Sequence, residues 1–326
     1  MPDIHSFLPL TGWALFHLLI FPGGVFALCV GLLFKGLDRK IEARLQRRVG
    51  PPVIQPFLDL IKLSGKESML PATAHRALFH MAPLLGFAGM AVCAALLPVP
   101  GAYNGLPGMG DMLVYFYLLP LPAVALILAA SSSSSPFSAL GFSREMTIMF
   151  AYEIPLLMVI LAVALKVGQG QAAEFSLGAI VAYQLENGQF GFHWALLPAF
   201  LAYLMFLPGT MGVPPFDIPE AETEIIEGPL LEYSGAALAF FQLTGALKSI
   251  VVLGFGVVLF FPGTIPGGIA LNICWFLLKC LLLMLLSLTL VKAATGRFRV
   301  DQAFSFYLRY PAALAALSLL LVWISL

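Results

Sequence analysis

The chain has 326 residues, of which 60% are hydrophobic and only 10% charged, with a mean hydropathy of +0.95. Soluble domains carry about 25% charged residues, so the composition excludes a water-soluble globular fold and implies an all-α integral membrane protein, a single polytopic domain over residues 1–326. Seventeen Lys and Arg balance seventeen Asp and Glu, so net charge offers no reason to expect nucleic acid as a partner.

A helix crossing the bilayer needs roughly 20 apolar residues. About eight such runs are predicted, at 11–34, 76–97, 112–130, 147–166, 193–210, 236–261, 269–291 and 309–326. The first run has no charged segment before it and no small-residue cleavage site after it, so it is expected to be a retained span, not a signal peptide. The first loop, 35–75, carries Leu37, Ile41 and Leu45 at helical spacing opposite Arg and Lys, then Phe57, Leu60, Ile61 and Leu63. Two amphipathic surface helices broken at Gly50-Pro51-Pro52 are therefore expected on the cytoplasmic side. Their basic residues, Arg39, Arg44, Arg47, Arg48 and Lys62, would touch anionic lipid or dock a cytoplasmic partner. The second loop on this side, 131–146, opens with Ser131 to Ser135 and Pro136 and ends at Arg144 and Glu145.

Span four carries Glu153 within FAYEIP, well inside an apolar run. Insertion scales charge roughly 2.5–3.5 kcal/mol for an ionisable residue at a span centre. Glu153 is thus either a proton-transfer group or one half of a pair with Lys248 of span six or Lys279 of span seven.

The third loop, 211–235, contains Asp217, Glu220, Glu222, Glu224, Glu227 and Glu232 without one Lys or Arg. Pro219 suits the first turn of a helix that Gly228-Pro229 would end, which would place Glu220, Glu224 and Glu227 on one face. A solvated acidic surface helix is the simplest reading of that pattern. The interleaved Val213, Phe216, Ile218, Ile225, Ile226, Leu230, Leu231 and Tyr233 instead favour partial burial. Buried like-charged carboxylates cannot all ionise, and a chain of them can relay protons. The last loop, 292–308, is basic again. Fourteen of the seventeen Lys and Arg fall in or at the edges of the odd-numbered loops, so the positive-inside rule puts those loops in the cytoplasm and both termini outside.

Cys29, Cys93, Cys274 and Cys280 lie in apolar runs without C-x-x-C spacing, and none of the five histidines has a ligand spacing. Walker A, G-x-G-x-x-G and G-x-S-x-G patterns are absent. No metal and no cofactor is expected on this chain.

PPFDIPEAETEIIEGPLLEYSG, with LQRRVGPPVIQPFLDLIKLSGKE in the first loop and RFRVDQ after span seven, resembles the membrane subunit of the complex I superfamily that joins the ion-pumping membrane arm to the peripheral electron-transfer arm. The resemblance spans nearly the whole chain. SPFSALGFSRE and EGPLLEYSG are similar to the membrane-bound energy-converting [NiFe] hydrogenase branch, with formate hydrogenlyase, Ech-type and CO-linked enzymes. Quinone-reducing members usually carry a longer GPNRVGP-type stretch where this chain has GPPVIQP. The resemblance implies a non-redox subunit of a prokaryotic cell (inner) membrane complex. Nickel–iron and iron–sulfur centres would sit on partner chains: hydrogenase large and small subunits, ferredoxin-like subunits and, within the bilayer, antiporter-like subunits. It also implies that Asp217, Glu220, Glu222, Glu224 and Glu232 form the acidic loop of a coupling path, with Glu153 as its span glutamate, Arg144 as the basic neighbour and Lys279 as the lysine of span seven. Glu145 and Glu227 fit the hydrogenase-like pattern. A quinone-site subunit of a complex I-type enzyme and a stand-alone ion transporter are the alternatives.

Overall fold

The computed structural model describes residues 15–105, 111–170 and 172–325, with the side chain of Glu222 left aside. Ten helices organise them: α1 (Leu15–Leu45, interrupted at residues 20–23), α2 (Gln55–Ser64), α3 (Arg76–Leu96), α4 (Met112–Ser132), α5 (Pro136–Val167), α6 (Leu177–Asn187), α7 (Leu197–Met211), α8 (Gly235–Phe260), α9 (Ile269–Ala294) and α10 (Val300–Ser325). Seven of these are long and apolar enough to cross a membrane, and α7 is a shorter apolar helix. Among the described residues there is no strand. This is the all-α membrane architecture expected where lipid cannot satisfy backbone N–H and C=O groups and the helix must do so internally.

The bundle is built around α8. Its most apolar window is 89% buried, against 28% for those of α9 and α10, so α8 is a central pillar and the last two helices lie at the periphery. It packs on α1, α3 and α9. At Gly31 the α1 backbone runs directly against the α8 backbone: a Cβ there would lie 2.1 Å from the Ala246 carbonyl oxygen. α5 packs on α10, α4 and α7. A smaller apolar cluster, including Phe79, Ala129, Tyr233 and Phe241, seats the end of the acidic loop. Tyr233 stacks on Phe79 with centroids 4.0 Å apart and donates to its carbonyl at 3.1 Å, and burial pushes its phenol up to about 12.

Several boundaries differ from the sequence expectation. α1 runs on to Leu45, so residues 37–45 continue the first helix instead of forming a separate surface helix, and only α2 is one. Residues 11–14 of the first predicted span lie outside the described residues. The break at Gly50-Pro51-Pro52 is present, with Gly50 at φ +70°. α5 begins at Pro136, which shrinks the predicted loop 131–146 to residues 133–135 and places Arg144 and Glu145 on helix. α10 begins at Val300 with a Gln302 side chain accepting from the Arg299 N–H, so most of the predicted loop 292–308 is helical too. Polar residues at these ends break the apolar pattern without breaking the helix. Asp38 and Glu42 near the end of α1 and Arg144 near the start of α5 are tied to distant protein groups, while Arg44, Asp301 and Gln302 stay exposed.

Candidate functional site: a charged cavity beneath the acidic loop

The predicted acidic helix does not form. Only Glu222–Ile225 is α-helical, because Ile226 and Glu227 adopt left-handed backbone conformations, at φ +51° and +62°. Buried Phe216, Ile218 and Ile225 pull the chain inward, so it winds around its apolar residues and Glu220, Glu224 and Glu227 share no helical face. Gly228 and Pro229 rest on α5, where Ser138 Oγ donates to the Gly228 carbonyl at 3.0 Å.

Counter-ions absent from the local sequence arrive from far along the chain. Arg297 clamps Asp217 bidentately, Nε to Oδ1 at 2.8 Å and Nη2 to Oδ2 at 2.5 Å, and its Nη1 donates to Thr223 Oγ1 at 3.0 Å. Arg144 on α5 pairs with Glu224 at 2.5 Å and reaches the Ile218 carbonyl at 3.4 Å. Glu227 is exposed and Glu232 half-buried.

Glu220 turns the other way, into a cavity of about 170 Å³ that Lys35 of α1, Glu145 of α5, Lys248 of α8 and Asp217 also line. Lys35 Nζ donates to the Gln242 carbonyl at 3.2 Å. Glu220 is exposed into this cavity while protein rings it. Desolvation, helped by the nearby Glu145 carboxylate and opposed by the Lys35 and Lys248 ammoniums, pushes its carboxyl up to about 7. A raised carboxyl stabilises the fold when protonated: that contribution is full below the ordinary carboxylate range and disappears as pH climbs through about 7. Infrared titration should accordingly find a carboxyl band that bleaches within about a unit of neutrality and is missing in Glu220→Gln. A band titrating in the ordinary acidic range would contradict this.

Glu153 lies two helical turns beyond Glu145 on α5, roughly 12 Å along the axis. Its Oε1 is buried without a hydrogen-bond partner, and among the described residues neither Lys248 nor Lys279 makes a salt bridge with it. Phe150, Ile154 and Leu157 beside it are exposed. Lys279 stands apart from the cavity. Its ammonium donates to the carbonyls of Phe261, at 2.7 Å, and Gly263, just past the end of α8 remote from the acidic loop, and lies 5.3 Å from the Trp275 ring.

Arg44, Arg47, Arg48 and Lys62 are exposed on α1, α2 and their connection, while Arg39 pairs with Asp59 at 3.4 Å. A second polar cluster has Lys292 between Asp38, at 3.4 Å, and Glu42, at 2.6 Å, with Thr289 Oγ1 donating to Asp38 at 2.7 Å. Sequence reasoning assigns no site role to Lys35, Arg297, Asp38, Glu42 or Lys292. Lys35 counts there only as an orienting loop charge, and nothing local marks the others as partners of distant groups.

The bundle and its charged cavity define a multi-pass membrane protein with ionisable groups gathered under one acidic loop. Comparison with known proteins places it: the NADH dehydrogenase family model matches residues 18–323, and the chain belongs to that family, as a membrane subunit of the complex I superfamily. It is 30% identical over 301 residues to an NADH-quinone oxidoreductase subunit of Brevibacillus brevis, covering 87% of this chain and 85% of that one. To formate hydrogenlyase subunit 4 of Escherichia coli it is 33% identical over 283 residues, 83% and 88% of the two chains, and to hydrogenase-4 component C of the same organism 34% over 230 residues, 71% and 70%. A chain of the membrane-bound sulfane sulfur reductase, an archaeal respiratory membrane complex, superposes with a TM-score of 0.82 at 28% identity, covering 98% of this chain and 100% of that one.

Proposed function

We propose that this subunit couples hydrogen chemistry on a peripheral [NiFe] hydrogenase arm to proton or sodium translocation in the membrane. The observation carrying the reading is the cavity that gathers Glu145, Glu220, Lys35 and Lys248 beneath the acidic loop, with unpartnered Glu153 farther along α5. Its volume lies below the roughly 300–1,000 Å³ of ordinary small-molecule sites, and its charged groups suit proton exchange better than a lipid quinone. The similarity to hydrogenase-4 component C and formate hydrogenlyase subunit 4 supports the hydrogenase branch.

In this reading the nickel–iron and iron–sulfur centres belong to partner subunits and this chain holds none. Protonation change starts at the acidic loop, passes through Glu220 and Glu145 to Glu153, and leaves at the exposed α5 face beside it, where an antiporter-like subunit supplies the missing polar partner. Asp217, Glu224 and Arg144 hold the loop. Lys279 braces the far end of α8 and is left out of the path. The odd-numbered loops face the cytoplasm and both termini the outer side of a prokaryotic inner membrane. Purification of the tagged chain from its own membrane in mild detergent, with mass spectrometry of its partners and a hydrogen-evolution assay, tests this. Nickel and iron–sulfur subunits with hydrogenase activity are expected. Bound quinone with a quinone-reducing input module, or a chain that transports ions alone in liposomes, would overturn it.

The exposed arginines give a separate expectation. Charge reversal at Arg44, Arg47 and Arg48 together should release the peripheral arm at physiological salt, because exposed charges set association through complementary potentials. An arm that stays bound through detergent extraction would assign these residues to lipid contact.

A further inference from the structure

Lys35 belongs to two cavities. Besides the chamber under the acidic loop it lines a second cavity of about 210 Å³, which Asp38, Lys292 and Ser249 also line, and the two cavities share only Lys35 and Met211. Lys35 therefore stands in the wall between the chamber carboxylates and Asp38. On the chamber side it donates to the Gln242 carbonyl and shares the cavity lining with Glu145, Asp217, Glu220 and Lys248. On the other side Asp38 stands three residues along the same helix, within reach of an i, i+3 neighbour, already held by Thr289 and Lys292.

Gly245 on α8 lies against the tip of the Lys35 side chain. A Cβ at this position would lie 2.6 Å from Lys35 Nζ and 3.5 Å from its Cε, and within 4 Å of nothing else. The obstruction is the tip of one flexible side chain, so a methyl there displaces the ammonium and leaves the α1–α8 packing intact. A glycine inside a helix is unfavourable relative to alanine, and the space it leaves here is filled by Lys35.

We propose that Lys35 is a two-position cation and that Gly245 is the positioning residue that admits its ammonium to the chamber. With the ammonium in the chamber a cation opposes the desolvation of the Glu220 carboxylate. With the ammonium withdrawn toward Asp38, Glu220 takes a proton from cavity water, and returns it to that water when the ammonium comes back. The inference deepens the coupling reading given above, and its test needs no turnover.

The charged groups around this pair are Arg39 of α1, Glu145 of α5, Lys248 of α8, and Asp217 and Glu227 of the loop, and all are kept unchanged. The purified complex is titrated by infrared spectroscopy, with the Glu220 band assigned by difference from Glu220→Gln. Lys35→Met should raise the Glu220 midpoint by about one pH unit or more. Gly245→Ala should raise it likewise, and in the Lys35→Met background it should add nothing. A wild-type midpoint in Gly245→Ala, or additive shifts, would overturn the proposal. If Gly245→Ala alone does not assemble, rescue of assembly by Lys35→Met supports the steric relation and failure of rescue overturns it. The coupling reading fails on a different result: translocation that survives Glu220→Gln, whatever the titration shows.

Discussion

Glu220→Gln, in the complex reconstituted into liposomes, should lower ion translocation by about 10²-fold or more, the scale of losing a positioned proton-transfer group, while hydrogen evolution from an artificial donor stays close to wild type. Gln keeps the shape of the side chain and its reach into the cavity but cannot exchange a proton. The effect should be large because Glu220 is the cavity group held near neutrality, pushed up to about 7, where uptake and release are both easy. Glu145→Gln and Glu153→Gln should act in the same direction. Glu145 lines the cavity with Glu220, and Glu153 has a buried oxygen with no hydrogen-bond partner. Lys279→Met should not act this way, since its ammonium is engaged with carbonyls beyond α8. Full coupling in Glu220→Gln would leave the relay without support, and full coupling in Glu153→Gln would remove Glu153 from it.

The second large effect is expected from Arg297→Ala. This side chain joins the loop before α10 to the acidic loop through two hydrogen bonds to Asp217 and one to Thr223. Asp217, whose side chain is only 15% exposed, would be left sheltered and without its cation. A hydrogen bond to a charged group contributes about 1.5–3 kcal/mol, and with solvent screening of the partly exposed pair discounting the three bonds to about the worth of one, local opening of residues 215–235 should become roughly 10- to 100-fold more frequent. Hydrogen exchange of that segment measures it directly. Arg297→Lys should recover only part of the protection, because an ammonium cannot reproduce the planar two-bond grip on a carboxylate. Exchange unchanged from wild type in Arg297→Ala would mean that Phe216, Ile218 and Ile225 hold the loop by burial alone.

What the sequence determined by itself is local. Apolar runs of membrane length placed the helices, because a bilayer forces each crossing segment to satisfy its own backbone and so writes its length and polarity into consecutive residues. The Gly50-Pro51-Pro52 break, the amphipathic α2 and the unusual acidity of residues 217–232 were legible for the same reason. Glu153 stood out as an acid inside an apolar run, and Glu145 only as part of the hydrogenase-like motif. The ends of α1, α5 and α10 were not legible, since the helices run on through polar residues that break the apolar pattern, some of them, such as Asp38, Glu42 and Arg144, with partners far along the chain.

Only the tertiary structure decided which acid meets which base. Asp217 and Arg297 are 80 residues apart, as are Arg144 and Glu224, and Lys35 is 207 from the carbonyl it reaches. Such pairings depend on how α1, α5, α8 and α10 pack. They tie Asp217 and Glu224 to arginines and, among the described residues, leave Glu220 without one, facing a cavity because of the left-handed turn at Ile226 and Glu227 and the inward anchors around it. The same packing removed Lys279 from the acidic group and brought Lys35 into it, because position along a membrane helix sets a residue's depth, while the rotation and neighbours of that helix set what its side chain can touch.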